Sequence, residues 1–468
     1  MAIIIKQKPA YPTFPVGQEV IFSVYNHYVV TTQQRVKYIA QVYIDENPIV
    51  PSSGVGFVGT FKTTPNGAGY GMFDLSSIIE SYVNADNMAN VSSNYKGAFA
   101  GSDPTPLHII DEYSRNKNII KYLAVVFKTE YLDTTLTPPV IVLDNDAEIS
   151  DEMKIWNGYL KETDVINTFN GDFGYRPDRF FLSSVVNIGD EPAQWLTNAP
   201  DTRYALATDY GVASLMSFPN NGVSLGKMKL TYTEDDGNIT SETVDNVYNK
   251  GGMGPYMSNS DWNILHFGCY PANIYNWSST FKALVDNKTL ASYTVQGQTS
   301  AGVNITYPFT VNILCPNQKG YEPIRLTWLN QWGTWDYYTF NMKSSKSIST
   351  KGSTYEQLGG TWNEMHYRPY SFKGGKKSFR VNATEKVIMN TDFVNESESE
   401  WFEELINSPE IYILNGFKTD SAGSALTTYV IPVRLQTSSY TRKTVANDKL
   451  MQYTFEVEKS KTLRTQAV

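Results

Sequence analysis

The sequence predicts a mainly β, multi-domain chain of β-sandwiches with a few short helices, on three observations. Only 18% of its residues are charged while 13% are aromatic, a balance that suits half-buried pleated surfaces. In most windows Ser, Thr, Asn, Tyr, Val and Ile outweigh the helix formers Ala, Leu, Glu and Lys. Apolar residues also recur at every second position in one run after another, the period of a strand with one covered face. At 468 residues the chain exceeds what one core organises, and breaks in composition divide it into 1–140, 141–319 and 320–468.

In the first segment "EVIFSVYN" (19–26), "VKYIAQVYID" (36–45), "GFVGTFKTTP" (56–65) and "IIKYLAVVFKTEYL" (119–132) read as strands. In the second of these, Val36, Tyr38, Ala40, Val42 and Ile44 share one face while Lys37, Gln41 and Asp45 share the other, as at the edge or flank of a sandwich. "FDLSSIIESYV" (73–83) spaces Leu75, Ile78, Ile79 and Tyr82 for a short helix over one end of the sheet. With its Pro-rich turns, this start resembles the fibronectin or immunoglobulin class in architecture, without the Cys and Trp signature of antibody domains.

"LTPPVIVLDNDAEISDEM" (136–153) joins a Pro pair to a dense run of acids, and it reads as a solvated linker at the first domain boundary. Further on, "KMKLTYT" (227–233) and "NITSETVDNVY" (238–248) flank "EDDG", whose Asp-Gly pair predicts a hairpin turn. "TVNILCPNQKGYEP" (310–323) runs from a strand into a linker, so the last domain begins near Gly320. There "SESEWFEELINSP" (397–409) predicts a helix with Ser397 as N-cap, Glu400 closing a capping box and Pro409 beyond its end. "EIYILNG", "TTYVIPVRLQT" and "KLMQYTFEVEKS" (449–460) follow as strands, and loops 84–105 and 249–260 are expected to order on assembly.

Lys and Arg number 39 against 47 Asp and Glu, so the net charge of -8 excludes gripping nucleic acid as the main task. Cys269 and Cys315 stand alone without CxxC spacing, and both read as buried free thiols. The start "MAIIIKQKPAYPTFP" lacks the basic and long apolar regions of a secretion signal, which predicts folding in the cytosol where the chain is made. No run approaches about 18 uninterrupted apolar residues, so no membrane partner is expected.

The motifs of catalysis and ligation are missing or broken. "DNDAEISDEMKI" (144–155) spaces acids like a calcium loop but has Ile149 where Gly belongs and Ile155 where the bidentate Glu belongs. His27, His108, His266 and His366 are scattered singly, which predicts surface or core-edge positions and no metal centre. No GxSxG elbow or Walker lysine is present, "GGKKSF" (374–379) reads as a hairpin tip, and "NKGGMGP" (249–255) reads as a loop. Neither catalytic residues nor a cofactor is expected.

The densest chemistry is "WLNQWGTWDYYTF" (328–340), six aromatic side chains around one acid, Asp336. It reads as two strands, 324–330 and 334–342, joined by a turn in which Gly333 takes a positive φ. On the second strand Trp335, Tyr337 and Thr339 share one face and Asp336, Tyr338 and Phe340 the other, so both faces are covered, as in an interior sheet or a subunit contact. Trp328, Trp332, Trp335, Tyr337, Tyr338, Phe340, Trp401 and Phe402 are therefore the candidate packing and interface residues. The competing reading makes Trp335, Asp336 and Tyr337 a glycan contact, with Asp336 as the suspect acid of a glycan-degrading enzyme.

"RLTWLNQWGTWDYYTF" followed by "ESEWFEELINSPEIYIL", with "FPVGQEVIFSVYN", "VKYIAQVYID" and "GYGMFDLSSIIESYV" at the N-terminus, resembles virion proteins of tailed phages of Bacteroidetes, including the crAss-like group. These segments touch the first 85 residues and the last 150 and leave the middle unmatched. The resemblance implies a structural neck or tail component, a homo-oligomeric ring below the portal with six- or twelve-fold symmetry, touching other neck and tail proteins while genomic DNA passes through its lumen. An acidic lumen would let DNA slide. The rival within the virion is a tail fibre or a receptor- or glycan-binding adhesin.

Overall fold

In the computed structural model the alternating apolar residues of the N-terminal third close a sandwich. One layer is a three-stranded sheet of β1 (Ile4–Gln7), β3 (Ile21–Tyr25) and β6 (Gly71–Asp74). The other runs in the order β2 (Thr13–Gly17), β10 (Met153–Tyr159), β8 (Ile120–Asp133), β4 (Gln34–Asp45) and β5 (Phe57–Thr63), with β9 (Val140–Ile149) also paired to β8. Phe22, Val24 and Phe73 from the first layer share one core with Tyr38, Ala40, Val42, Val125 and Phe127 from the second. Each of the Val and Phe side chains among them contributes about 1.5–3 kcal/mol by leaving water. The helix expected near 73–83 is α2 (Ser76–Ile79), continued by one 3-10 turn, and another short helix, α1 (His27–Thr32), leads into β4. The described residues are 2–9, 11–89, 106–116, 118–161, 177–182, 191–216, 224–246, 264–315, 320–362, 364–414, 429–441 and 451–464.

Two expectations fail in this sandwich. β4 is an interior strand, paired with β8 on one side and β5 on the other, and Ile39 and Tyr43 on its second face are buried as well. The acidic run 136–153 is no linker either: β9 pairs with β8 from Val126↔Ile149 to Asp133↔Val140, and β10 then enters the same sheet. The β-branched, period-two "VIVL" outweighs the acids beside it, so the boundary expected at 140 falls inside a sheet.

Two further sheets follow. One is β12 (Val212–Met216), β15 (Ile264–Gly268) and β7 (Tyr113–Asn116); the other is β11 (Thr202–Leu206), β17 (Phe309–Leu314), β16 (Leu290–Gln298), β13 (Lys227–Glu234) and β14 (Ile239–Asp245). β13 and β14 form the expected hairpin, with Gly237 at φ 86° in the turn. Two helices, α3 (Pro271–Trp277) and α4 (Ser279–Asp286), lie between β15 and β16, and Phe281 of α4 packs 5.4 Å from the rings of both Tyr232 and Tyr293.

The last sheet has eight strands: β19 (Trp335–Phe340), β18 (Ile324–Leu329), β22 (Ile411–Leu414), β23 (Val430–Leu435), β24 (Thr454–Lys459), β21 (Gly375–Asn390) and β20 (Ser344–Gln357) in that order, with β25 (Leu463–Arg464) against β21. The cap of helix α5 (Glu396–Asn407) lies two residues before the expected one: Asn395, not Ser397, accepts from the N3 amide, and Glu398, not Glu400, reaches back to the cap. Asn and Ser are near-equal caps. Asn395 closes a complete box with Glu398, and Trp401 and Phe402 lie on the buried side of the helix. The chain forms two compact units, Met1–Ile313 with Leu329–Asp336, and Leu314–Trp328 with Tyr337–Val468, where three domains were expected.

Candidate functional site

The aromatic run forms the expected hairpin, β18 and β19, with Gly333 at φ 76°. Its tip is fastened by polar side chains. Asn330 Oδ1 accepts from the Trp332 and Thr334 amides at 3.0 Å each, and its Nδ2 donates to the Leu196 carbonyl at 2.9 Å. Gln331 Nε2 donates to the Tyr159 carbonyl at 3.0 Å, while Trp332 Nε1 donates to Asn198 Oδ1 at 2.9 Å. Trp332 joins a core with Ile119, Trp156 and Phe180, and Arg179 sits 4.9 Å over its ring.

Trp335 donates through Nε1 to the Asp86 carbonyl at 2.8 Å and meets His108 edge-on at 5.1 Å. Asp336 accepts from Thr197 Oγ1 at 2.6 Å. On the strand beyond, Arg325 lies 5.3 Å over the Tyr337 ring and donates to Thr339 Oγ1 at 2.7 Å. Tyr338 packs 4.9 Å from Phe402, and Trp328 packs 4.8 Å from Trp401, so α5 covers this face. Trp335, Asp336 and Tyr337 are 2%, 2% and 4% exposed. A sugar platform needs an open ring face, and among the described residues these three side chains present none.

The scattered histidines hold a surprise. His27 and His366 are exposed, but His108 and His266 are buried, against the expectation of surface or core-edge positions. His266 lies opposite Ser214 in the β12–β15 ladder, its Nδ1 at 2.7 Å from Ser214 Oγ, and its Nε2 stands 3.8 Å from an Asp86 carboxylate oxygen. These are the residue types of a nucleophilic triad, but the serine sits at Nδ1 and the carboxylate nearest Nε2, the opposite sense to the usual one, and at 3.8 Å the carboxylate stands beyond hydrogen-bond reach of the ring. Ser214 is 5% exposed and His266 and Asp86 are fully buried, so the set is a polar seam of the core. Its one sequence signal is a His inside the apolar run "NILHFG". Cys269 is buried as expected, whereas Cys315 is exposed.

Asp144 and Asp146 lie on a strand, and among the described residues no three His, Cys, Asp or Glu side chains gather to hold an ion. Among them, too, no helix is long and apolar enough to cross a membrane. The loop 249–260 and most of 84–105 lie outside the described residues.

What remains open to solvent is a long hairpin. β20 and β21 pair from Ser344↔Met389 to Gln357↔Gly375, and β20 is the last strand of its sheet. The described residues of the connection 358–374 are braced: Thr361 Oγ1 donates to the His366 carbonyl and accepts from the Arg368 amide, both at 2.9 Å. Leu358, Trp362, Met365, Tyr367 and Phe372 are nevertheless exposed, Met365 at 93% and Trp362 at 66%. "GGKKSF" opens the returning strand instead of forming the tip, which lies just before it.

Several separate sheets with a few short helices make this a mainly β, multi-sheet protein. Neither a family profile nor a characterised protein sequence matches the chain. Among solved structures, a cryo-EM reconstruction of native alpha-2-macroglobulin from E. coli aligns at 12% identity and a TM-score of 0.18, over 83% of this chain and 22% of that one. The chain thus spans about a fifth of the macroglobulin's length, and so loose a superposition says nothing about function.

Proposed function

We propose that the chain is a virion structural protein, a subunit of an oligomeric ring in the neck or tail of a tailed bacteriophage. It is made in the host cytoplasm, joins portal-proximal and tail parts, and surrounds the channel through which DNA passes. The observation that carries the reading is the contrast between the two aromatic hairpins. The β18–β19 rings are spent on the interior, while the β20–β21 hairpin holds its apolar side chains outward on a braced loop. An exposed apolar cluster on an ordered support is the mark of a contact surface. The resemblance of the two ends of the chain to phage virion proteins supports the same reading. No catalytic step and no cofactor are part of it.

Electron microscopy of intact particles of the source, with antibody against this chain, tests the proposal. Label at the collar or tail shaft is the expected result. Label on peripheral appendages would transfer the protein to the fibre or adhesin class, with the exposed rings around Trp362 as the surface to test against host polysaccharide. Particles without the chain would overturn both.

A further inference from the structure

We infer that the distal β20–β21 hairpin of one copy docks on the β9 edge of a second copy, in a head-to-tail contact. This rests on the oligomeric part of the proposed function and names the surfaces that would make it.

The hairpin end is apolar and cationic. From 351 to 380 it carries six Lys and Arg (Lys351, Arg368, Lys373, Lys376, Lys377, Arg380) against Glu356 and Glu364, in a chain whose net charge is -8. Gly360, at φ 64°, turns the chain tightly against Tyr367, and Trp362 meets Tyr367 edge-on at 6.1 Å. The loop therefore holds one shape with its apolar atoms in water, and little ordering cost remains to be met on binding.

The β9 edge is its chemical complement. Residues 133–152 carry six acids and no Lys, Arg or His. Ile141, Leu143 and Ile149 of β9 are each more than half exposed. Among the described residues β9 pairs only with β8, which leaves its other edge free. Between Lys128↔Ala147 and Glu130↔Leu143 the register shifts, so Asp144, Asn145 and Asp146 stand against one residue of β8 and swell out of the ladder. An exposed apolar edge strand is usually blunted by charge or covered. On β9 itself the blunting charge, Asp144, Asp146 and Glu148, is all of one sign, whereas Asp151 beyond it pairs with Lys8, and the opposite sign accompanies the exposed rings of the hairpin. The two patches differ, so the contact is heterologous, and repetition closes a ring or runs on as a filament. Apolar matching favours a folded second copy over nucleic acid, which would use the cations and leave Ile141 and Leu143 uncovered.

The test uses the full chain carrying Cys315→Ser, which removes the exposed native thiol. Chains with Trp362→Cys are mixed with chains carrying Leu143→Cys under mild oxidation, and a disulfide-linked dimer of the two is expected. Sedimentation velocity over a concentration series then compares wild type, the hairpin variant K373E/K376E, and the edge variant D146K/E148K. Each reversal should weaken self-association at least tenfold, and an equimolar mixture of the two should recover it, because the native hairpin of the edge variant meets the native edge of the hairpin variant and the two reversed patches also match between unlike chains. Added duplex or single-stranded DNA should leave wild-type association unchanged. Oligomers indifferent to both reversals, with no cross-link, would overturn this contact and leave the ring reading standing. A chain that stays monomeric throughout would overturn the contact and the ring together, and dissociation by DNA would assign the hairpin to nucleic acid instead.

Discussion

Gly333 shows how much one position in the aromatic hairpin carries. Its φ of 76° lies in the left-handed region, and a Cβ there would overlap the carbonyl oxygen of Asn157. Gly333→Ala therefore meets both backbone strain and a clash with backbone, and the chain should lose about 3 kcal/mol or more, read as a fall in denaturation midpoint. An alanine variant as stable as wild type would mean the tip is not seated as described. The positive φ was legible in the sequence, since a two-strand pattern around "QWG" requires a turn there. The clash was not, because Asn157 is far away along the chain. The same limit hid the pairing of His266 with Ser214 and Asp86: a lone histidine reveals nothing of its partners until the strands are in register.

At the scale of the element, α5 offers a pH test. Burial holds the Glu398 carboxyl above its ordinary range, although the Asn395 amide that it accepts pulls the other way. A carboxyl with a raised folded pKa contributes stability that is fully present below its unfolded value, about 4.3, and is lost as pH rises through the folded value. Comparing wild type with Glu398→Gln should therefore show wild type gaining relative stability as pH falls from 7 toward 4, since the amide cannot take up the proton. A difference in melting temperature that stays flat across that range would rule the buried carboxyl out. The helix itself was readable from its apolar spacing and cap-like residues. Its start moved by two residues because Asn395 and Ser397 are nearly equal caps and the reciprocal box closes between Asn395 and Glu398.

For the whole molecule, the two compact units exchange chain. Residues 329–336 belong with the first unit, where Trp332 completes a core containing Ile119, Trp156, Phe180 and Met216. A fragment ending at 313 lacks that side chain and leaves a cavity in its own core. It should melt well below the full chain, by the roughly 3–5 kcal/mol that removal of a buried Trp costs, and be cut faster in limited proteolysis. A fragment as resistant as the whole would show the first unit to be self-sufficient. A division by composition at 140 and 320 could not find this arrangement, because it assumes that each unit is one continuous stretch.

The sequence by itself determined the mainly β class, most strands of the first and last thirds, and the β13–β14 and β18–β19 hairpins. These rest on period-two patterning and turn chemistry, both of which act over a few residues. Tertiary structure alone decided that acidic 140–149 is a strand with a free edge, that the tip of one hairpin completes a distant core, and that the rings around Trp362 stay in water while those around Trp332 do not. Both hairpins are aromatic, and which of them is covered depends on which partner surfaces the rest of the chain brings to it, a matter of long-range packing that no local pattern encodes.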